Sequence, residues 1–308
     1  MVEIFLRTLP FFAIIGLGYG AGLKGFFTAE ATAYLTKFVF YFALSAMIFR
    51  FSATLPVAEI FDVNLILGYL VGCFAVYGLA TLIAGLRRQG GGTAAVEAQC
   101  ATIGNTGFLG LPMMAALFGE GAIGPVMIML GVDLIVFSSL IVIVINTSGG
   151  TRGLAALKLA ALGLVKNPMI VSIVAGLSWS ALQLPVPAPF NDFLTILGAA
   201  ATPGALFAIG ASLATKSAER VQTALWLSFA KLVIHPACVA LGVLWLFPVS
   251  TFSATVAIST AALPVAGNVY MLAQHYNVAP HRASAAIFLS TLISIVTLPL
   301  VIAWAGGT

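Results

Sequence analysis

Asp133, Lys231 and His235 each stand inside a long apolar stretch of the chain. An ionisable group at the centre of a bilayer costs at least about 2.5–3.5 kcal/mol on insertion scales, so each is a candidate for function. Lys231 and His235 share one helix face at i, i+4 spacing, and Asp133 supplies the opposite charge from near the middle of its own stretch. The expectation is that Asp133 and Lys231 pair and brace a site, with His235 or Asp133 exchanging a proton. A static ion pair without proton coupling satisfies the same residues. His235 precedes Pro236, which favours a bond from its ring to a freed carbonyl over titration. Glu97, near the start of another apolar stretch, reads as exposed at the cytoplasmic end.

The second chemical signal is a pair of interruptions. One apolar stretch is broken at Gly104-Asn105-Thr106-Gly107-Phe108-Leu109-Gly110-Leu111-Pro112, and another at Ala262-Leu263-Pro264-Val265-Ala266-Gly267-Asn268. A helix opened inside a membrane exposes peptide groups that hydrocarbon cannot satisfy, so such breaks survive only around a protein-lined cavity. Each break leaves N–H groups at a half-helix start and C=O groups at a half-helix end, and the N–H ends suit anions. Asn105 and Asn268 add one amide each, able to donate to a carboxylate or accept from a protonated group. Glycines permit close backbone approach, while Pro112 and Pro264 keep the helices from closing over the gap. The candidate substrate-binding set is therefore Asn105, Thr106, Gly107, Gly110, Pro112, Pro264, Gly267 and Asn268, with Asp133, Lys231 and His235 in coupling or support.

These residues must be held by a membrane bundle. Of the 308 residues 61% are hydrophobic and 7% charged, which excludes a water-soluble domain. Apolar stretches near residues 4–23, 32–51, 64–86, 95–118, 123–146, 168–183, 193–213, 222–247, 251–274 and 283–305 give ten spans. Pro185, Pro187 and Pro189 end the sixth early. The first span continues into the bundle pattern with no A-x-A-like site, so it reads as mature rather than as a cleaved leader.

In or beside the loops after the odd-numbered spans stand Lys24, Lys37, Arg87, Arg88, Arg152, Lys158, Lys166, Lys216, Arg220 and Arg282, ten of the thirteen cations. Cations stay on the cytoplasmic side, so both termini are expected to face outward. The same bias accounts for the net charge of +4, leaving no argument for nucleic acid.

The chain also repeats. A shift of 157 residues lays Gly104–Gly110 over Ala261–Gly267 (261 − 104 = 157), and nearly the same shift lays Leu9-Pro10 over Asn167-Pro168. The fold class expected is an all-α membrane protein: a first five-helix repeat over 1–148, a cytoplasmic linker over 149–167, and a second, inverted five-helix repeat over 168–308. Broken helices four and nine meet at the midplane.

Other signals carry less. Cys73, Cys100 and Cys238 show no metal-ligand spacing and read as packing residues, so neither a metal nor a cofactor is expected. Gly20-Ala21-Gly22-Leu23-Lys24-Gly25 mimics a dinucleotide fingerprint but follows no strand. The series Gly16, Gly18, Gly20 and Gly22 instead permits close helix packing. No Walker pattern, H-E-x-x-H, paired catalytic Asp or G-x-S-x-G occurs, which argues against an ATP-driven pump and against an intramembrane enzyme.

Asn105-Thr106 followed by Gly110-x-Pro112 resembles the fourth-helix crossover of the auxin efflux carrier family, which includes plant PIN carriers and bacterial permeases of malonate or malate. Ala262-Leu263-Pro264 and Tyr276-Asn277-Val278-Ala279-Pro280 are similar to its ninth-helix counterpart. Val269 stands where plant members usually carry a second proline, a departure that weighs against auxin itself. The resemblance covers essentially the whole chain and implies a fold like that of sodium/proton antiporters and bile acid symporters. Spans 1, 2, 6 and 7 would form a scaffold, and spans 3–5 and 8–10 a moving transport unit. It further implies a secondary transporter of small organic anions working by alternating access in the bacterial inner membrane, as a homodimer among membrane lipids. Sodium-coupled symport or cation/proton antiport is the alternative of the same fold, weakened by the lack of an acidic residue at either break.

Overall fold

The computed structural model describes residues 2–54, 62–151, 153–214 and 221–307. Arg152, Lys216 and Arg220 of the orientation argument lie outside these residues. The chain is all-helical: α1 (Val2–Leu23), α2 (Ala29–Thr54), α3 (Val63–Leu86), α4 (Gly91–Thr102), α5 (Thr106–Phe118), α6 (Glu120–Ser148), α7 (Gly153–Lys166), α8 (Pro168–Ala181), α9 (Ala188–Leu213), α10 (Val221–Leu246), α11 (Thr251–Ala261), α12 (Gly267–His275) and α13 (Pro280–Ala305). Helix starts are fixed by polar side chains. Thr28, Asp62, Asn167 and Ser250 accept hydrogen bonds from the amides of Ala31, Leu65, Met169 and Ser253 and so satisfy donors that a helix leaves open.

Seven of these helices, α1, α2, α3, α6, α9, α10 and α13, are long and apolar enough to cross a membrane. The sixth expected span is different. At 14 residues α8 covers only about 21 Å at 1.5 Å per residue, short of a bilayer core of about 30 Å. It is extended by α7, bent from it by 64°; Pro168, which has no amide hydrogen to donate, opens α8 at this bend. Most of the segment read as a linker is thus helical, with Ala156 and Ala160 buried and Leu154, Leu157, Leu162 and Val165 exposed.

Helices approach one another where glycine removes the side chain. A Cβ on Gly18 would lie 2.2 Å from the Phe207 carbonyl oxygen, and one on Gly210 would lie 1.9 Å from that of Ile15, so α1 and α9 pack backbone to backbone. Gly22 continues this seam against Ala211, whereas Gly16 and Gly20 face no neighbour within 4 Å; the packing role expected of four glycines belongs to the two on one face. Gly176 joins α8 to α2 at Phe49 and Ser52 in the same way, and Gly68, Gly72 and Gly242 join α3 to α10. Lipid tails are as apolar as the helices, so close van der Waals contact of this kind is what holds membrane helices together.

Gly210→Val should lower the melting temperature of the purified protein, equivalent to at least about 1–3 kcal/mol of overpacking. Gly16→Ala should be neutral or stabilising by up to about 1 kcal/mol. Equal effects of the two, read by intrinsic-fluorescence melting in detergent, would contradict the packing assigned to this seam.

Candidate substrate site

The two interruptions satisfy one another. After α4, Ile103 turns extended (φ −86°, ψ 116°), and ahead of α12 Ala266 does the same (φ −70°, ψ 139°). The Asn105 amide donates to the Pro264 carbonyl at 2.8 Å and the Ala266 amide donates to the Ile103 carbonyl at 3.1 Å, leaving Gly104 opposite Val265 in an antiparallel pair. The Val265 amide finds the Ser290 hydroxyl at 3.1 Å. Pro264 suits this place because it brings a carbonyl to the pairing and no amide that would need a partner.

Not all of the opened peptide groups are consumed. Among the described residues no acceptor lies within hydrogen-bond range of the amides of Gly107, Phe108, Gly267 and Asn268. These are the first turns of α5 and α12, where the helix dipole is positive. The expectation of free peptide ends therefore narrows: the amides of Asn105 and Ala266 and the carbonyls of Ile103 and Pro264 are committed to each other, and the open N–H groups at the two helix starts include these four.

A cavity of about 410 Å³ lies against the paired breaks. Asn105, Thr106, Gly107, Gly267, Asn268 and Asp133 line it, as the sequence suggested. Asn105 is 5% exposed and its side chain caps no helix, and the Asn268 Oδ1 is buried without a partner among the described residues. Gly110, Pro112 and Pro264 lie outside the lining. Gly110 instead makes room for Leu263, whose Cδ1 would come within 2.6 Å of a Cβ there, and Pro112 sits in the first turn of the regular part of α5. Further lining comes from Phe40 of α2, Met169 of α8, and Ala160 and Gly163 of α7.

Several wall residues went unread in the sequence: Ser138, Ser139, Asn167 and His275. Signals existed for them. His275 follows Asn268 by seven residues and so shares its helix face, Ser138-Ser139 interrupts an apolar run just beyond Asp133, and Asn167 stands before Pro168 at a helix start.

The three intramembrane ionisable residues separate into two groups. Asp133 opens a π-helical turn, Asp133–Phe137, and accepts hydrogen bonds from the Tyr69 hydroxyl at 2.7 Å and the Thr106 hydroxyl at 3.1 Å. Lys231, in the π turn Ala230–Ile234, is fully buried; its Nζ donates to the Ala261 carbonyl and lies 3.1 Å from His235 Nδ1. The direct Asp133–Lys231 pair expected from sequence is absent among the described residues. The reason is local: Ala261 O is an open carbonyl at the negative end of α11, and it captures the ammonium. Asp133 and Lys231 still feel one another through space.

Lys231 also touches the break directly, since a Cβ on Gly104 would lie 3.2 Å from Nζ. His235 Nδ1 is 3.1 Å from the same Ala261 carbonyl, and its Nε2 is 3.2 Å from Cys73 Sγ. His235 therefore does meet a carbonyl, one belonging to the neighbouring broken helix. Cys73 sits within this polar chain as well as in the packing.

Glu97 is a further correction. It is fully buried, and both Arg87 and Arg282 pair with it, one from each half of the sequence, while Arg282 also bonds Gln89 at 2.7 Å. A carboxylate with two guanidinium partners tolerates burial that a lone one does not.

Apolar spans enclosing a cavity at paired helix breaks describe a membrane transport protein, and the comparisons agree. The family model described as membrane transport protein matches residues 3–302, so the chain belongs to that family, the auxin efflux carrier family that its interruptions resemble. It is an integral membrane protein. It is 31% identical over 303 residues to the "Putative malonate transporter" of Rhizobium meliloti (strain 1021), covering 96% of this chain and 94% of that one. It is 28% identical over 299 residues to an uncharacterized transporter of Methanothermobacter thermautotrophicus, covering 95% of each, and 26% identical over 303 residues to the uncharacterized transporter YfdV of Escherichia coli (strain K12), covering 95% of this chain and 94% of that one.

Glu97→Ala leaves two arginines facing a buried gap. It should destabilise the protein by about 3 kcal/mol, the low end for breaking a buried pair because Arg87 is partly exposed. A melting temperature equal to that of the unaltered protein would return Glu97 to the surface role read from sequence.

Proposed function

We propose that this protein is a secondary transporter of small organic anions, carboxylates such as malonate or malate, that works by alternating access at the paired breaks. The observation that carries this reading is the cavity edged by four unpartnered amides, Gly107 and Phe108 on one helix start and Gly267 and Asn268 on the other. Two positive helix ends facing one space suit a dianion with a carboxylate at each. Asn105 and Asn268 would donate the side-chain bonds that set its orientation. The name borne by the Rhizobium meliloti relative points to the same substrate class.

In this reading α4–α5 and α11–α12 are each one broken span, α7–α8 is the sixth, and the ten spans form two inverted repeats. Helix contacts support it. α1 packs on α9, α2 on α8, α3 on α10 and one break on the other, the pairing that an axis in the membrane plane produces between spans 1 and 7, 2 and 6, 3 and 8, and 4 and 9. The breaks and Asp133 border the cavity together with Phe40 of α2 and Met169 of α8. In this reading spans 3–5 and 8–10 form a transport unit, spans 1, 2, 6 and 7 form a scaffold, and the cavity is lined from both. A rigid-body shift of one against the other would open it to each side in turn. Placement in the bacterial inner membrane with both termini outside the cytoplasm, and assembly as a homodimer, belong to the same proposal and follow from the cation bias and the family.

A thermal-shift screen against dicarboxylates, monocarboxylates and indole-3-acetate at two pH values tests the substrate class. A ligand present at about 100 times its Kd adds about 2.7 kcal/mol to the folded state, a shift readily measured. Malonate or malate should raise the melting temperature, and Asn105→Ala should abolish the rise. An undiminished shift in that variant would place the anion elsewhere.

A further inference from the structure

We propose that Asp133 binds a proton that crosses the membrane together with the anion. The inference rests on reading the cavity as an anion site, and it starts from a conflict within that reading. The ionisable side chains in the cavity wall are Asp133 and His275, so an incoming carboxylate meets a carboxylate. Like charges in a site of low dielectric repel far more strongly than in water.

The groups around Asp133 show how the conflict is resolved. From α3, Tyr69 donates to Oδ1, with Cys73 beyond it. From α5, Thr106 donates to Oδ2 and brings no charge. From α10, Lys231 and His235 stand behind the break and act on Asp133 only through space. From α12, His275 borders the cavity. Lys231 is thus the cation that balances Asp133 while the cavity is empty. When the anion enters, its charge takes over that balance, and a proton from the open side forms an O–H bond at Asp133 Oδ2.

Thr106 permits both states. Its hydroxyl donates to Oδ2 at 3.1 Å, and the Gly104 carbonyl lies 3.4 Å from the Thr106 Oγ1. With Asp133 ionised, Thr106 donates to it. With Asp133 protonated, the new O–H donates to Thr106, whose own hydrogen turns to Gly104 O, a carbonyl in the paired break itself. On the far side the Oδ2–H bond breaks, the proton leaves to water with the anion, and the empty carrier returns with Asp133 ionised. One proton enters and one leaves per cycle.

The test uses the full chain in liposomes, with malonate as the probe and a trapped pH dye. Malonate influx should acidify the lumen. Malonate affinity should weaken between pH 6.5 and 8.5 by up to about tenfold per unit, the limit for one linked proton. Asp133→Asn, a neutral mimic of the protonated carboxyl, should reduce that slope to less than about twofold across the range. Influx without lumenal acidification in the unaltered protein, or an unchanged pH slope in Asp133→Asn, overturns the proposal. Should the Asn variant not fold, the dye measurement on the unaltered protein decides alone. Absence of malonate binding, with other carboxylates also failing in the thermal screen, rejects the anion site itself; binding without proton movement rejects only the role of Asp133.

Discussion

Everything in this architecture follows from the rule that a peptide group inside a membrane must find a partner in the protein. Two helices stop in mid-passage, and each would leave exposed N–H and C=O groups at a cost of several kcal/mol apiece in hydrocarbon. They are stabilised by two backbone bonds across Gly104 and Val265, Asn105 N–H to Pro264 O and Ala266 N–H to Ile103 O. What remains is a set of amides that the protein leaves without acceptors, beside a cavity of molecular size.

The buried charges serve that pairing from behind. Lys231 and His235 converge on the Ala261 carbonyl, the open negative end of α11, and Gly104 is small enough for the Lys231 ammonium to lie against the break. Asp133 reaches the same segment from the cavity side through Thr106. An acidic and a basic side chain therefore flank one stretch of backbone with no direct bond between them. Around this centre the glycine seams between α1 and α9, α2 and α8, and α3 and α10 bring the helices backbone to backbone.

The sequence made the apolar spans legible by their composition, and the interruptions and intramembrane ionisable residues legible because each violates it. It did not reveal partners. Lys231 carries no mark that its ammonium prefers the Ala261 carbonyl to Asp133, since that choice depends on where a separate helix ends. Glu97 read as exposed because its position near a helix start suggests solvent, while Arg282, which buries it, is 185 residues away. α7 was read as a linker from Lys158, Lys166 and the preceding Gly149-Gly150, yet its Ala156 and Ala160 give it an inward face. Proline and glycine mark where a chain stops being regular; only the fold says what the freed groups then bind.

The central claim is that the free amides at the two helix starts hold a carboxylate. A structure of the protein determined with bound malonate tests it most directly. The account predicts density for the anion in the cavity, with its carboxylate oxygens within about 3 Å of the Gly107–Phe108 and Gly267–Asn268 amides. Malonate bound at another place, with those four amides still lacking a partner, would contradict it.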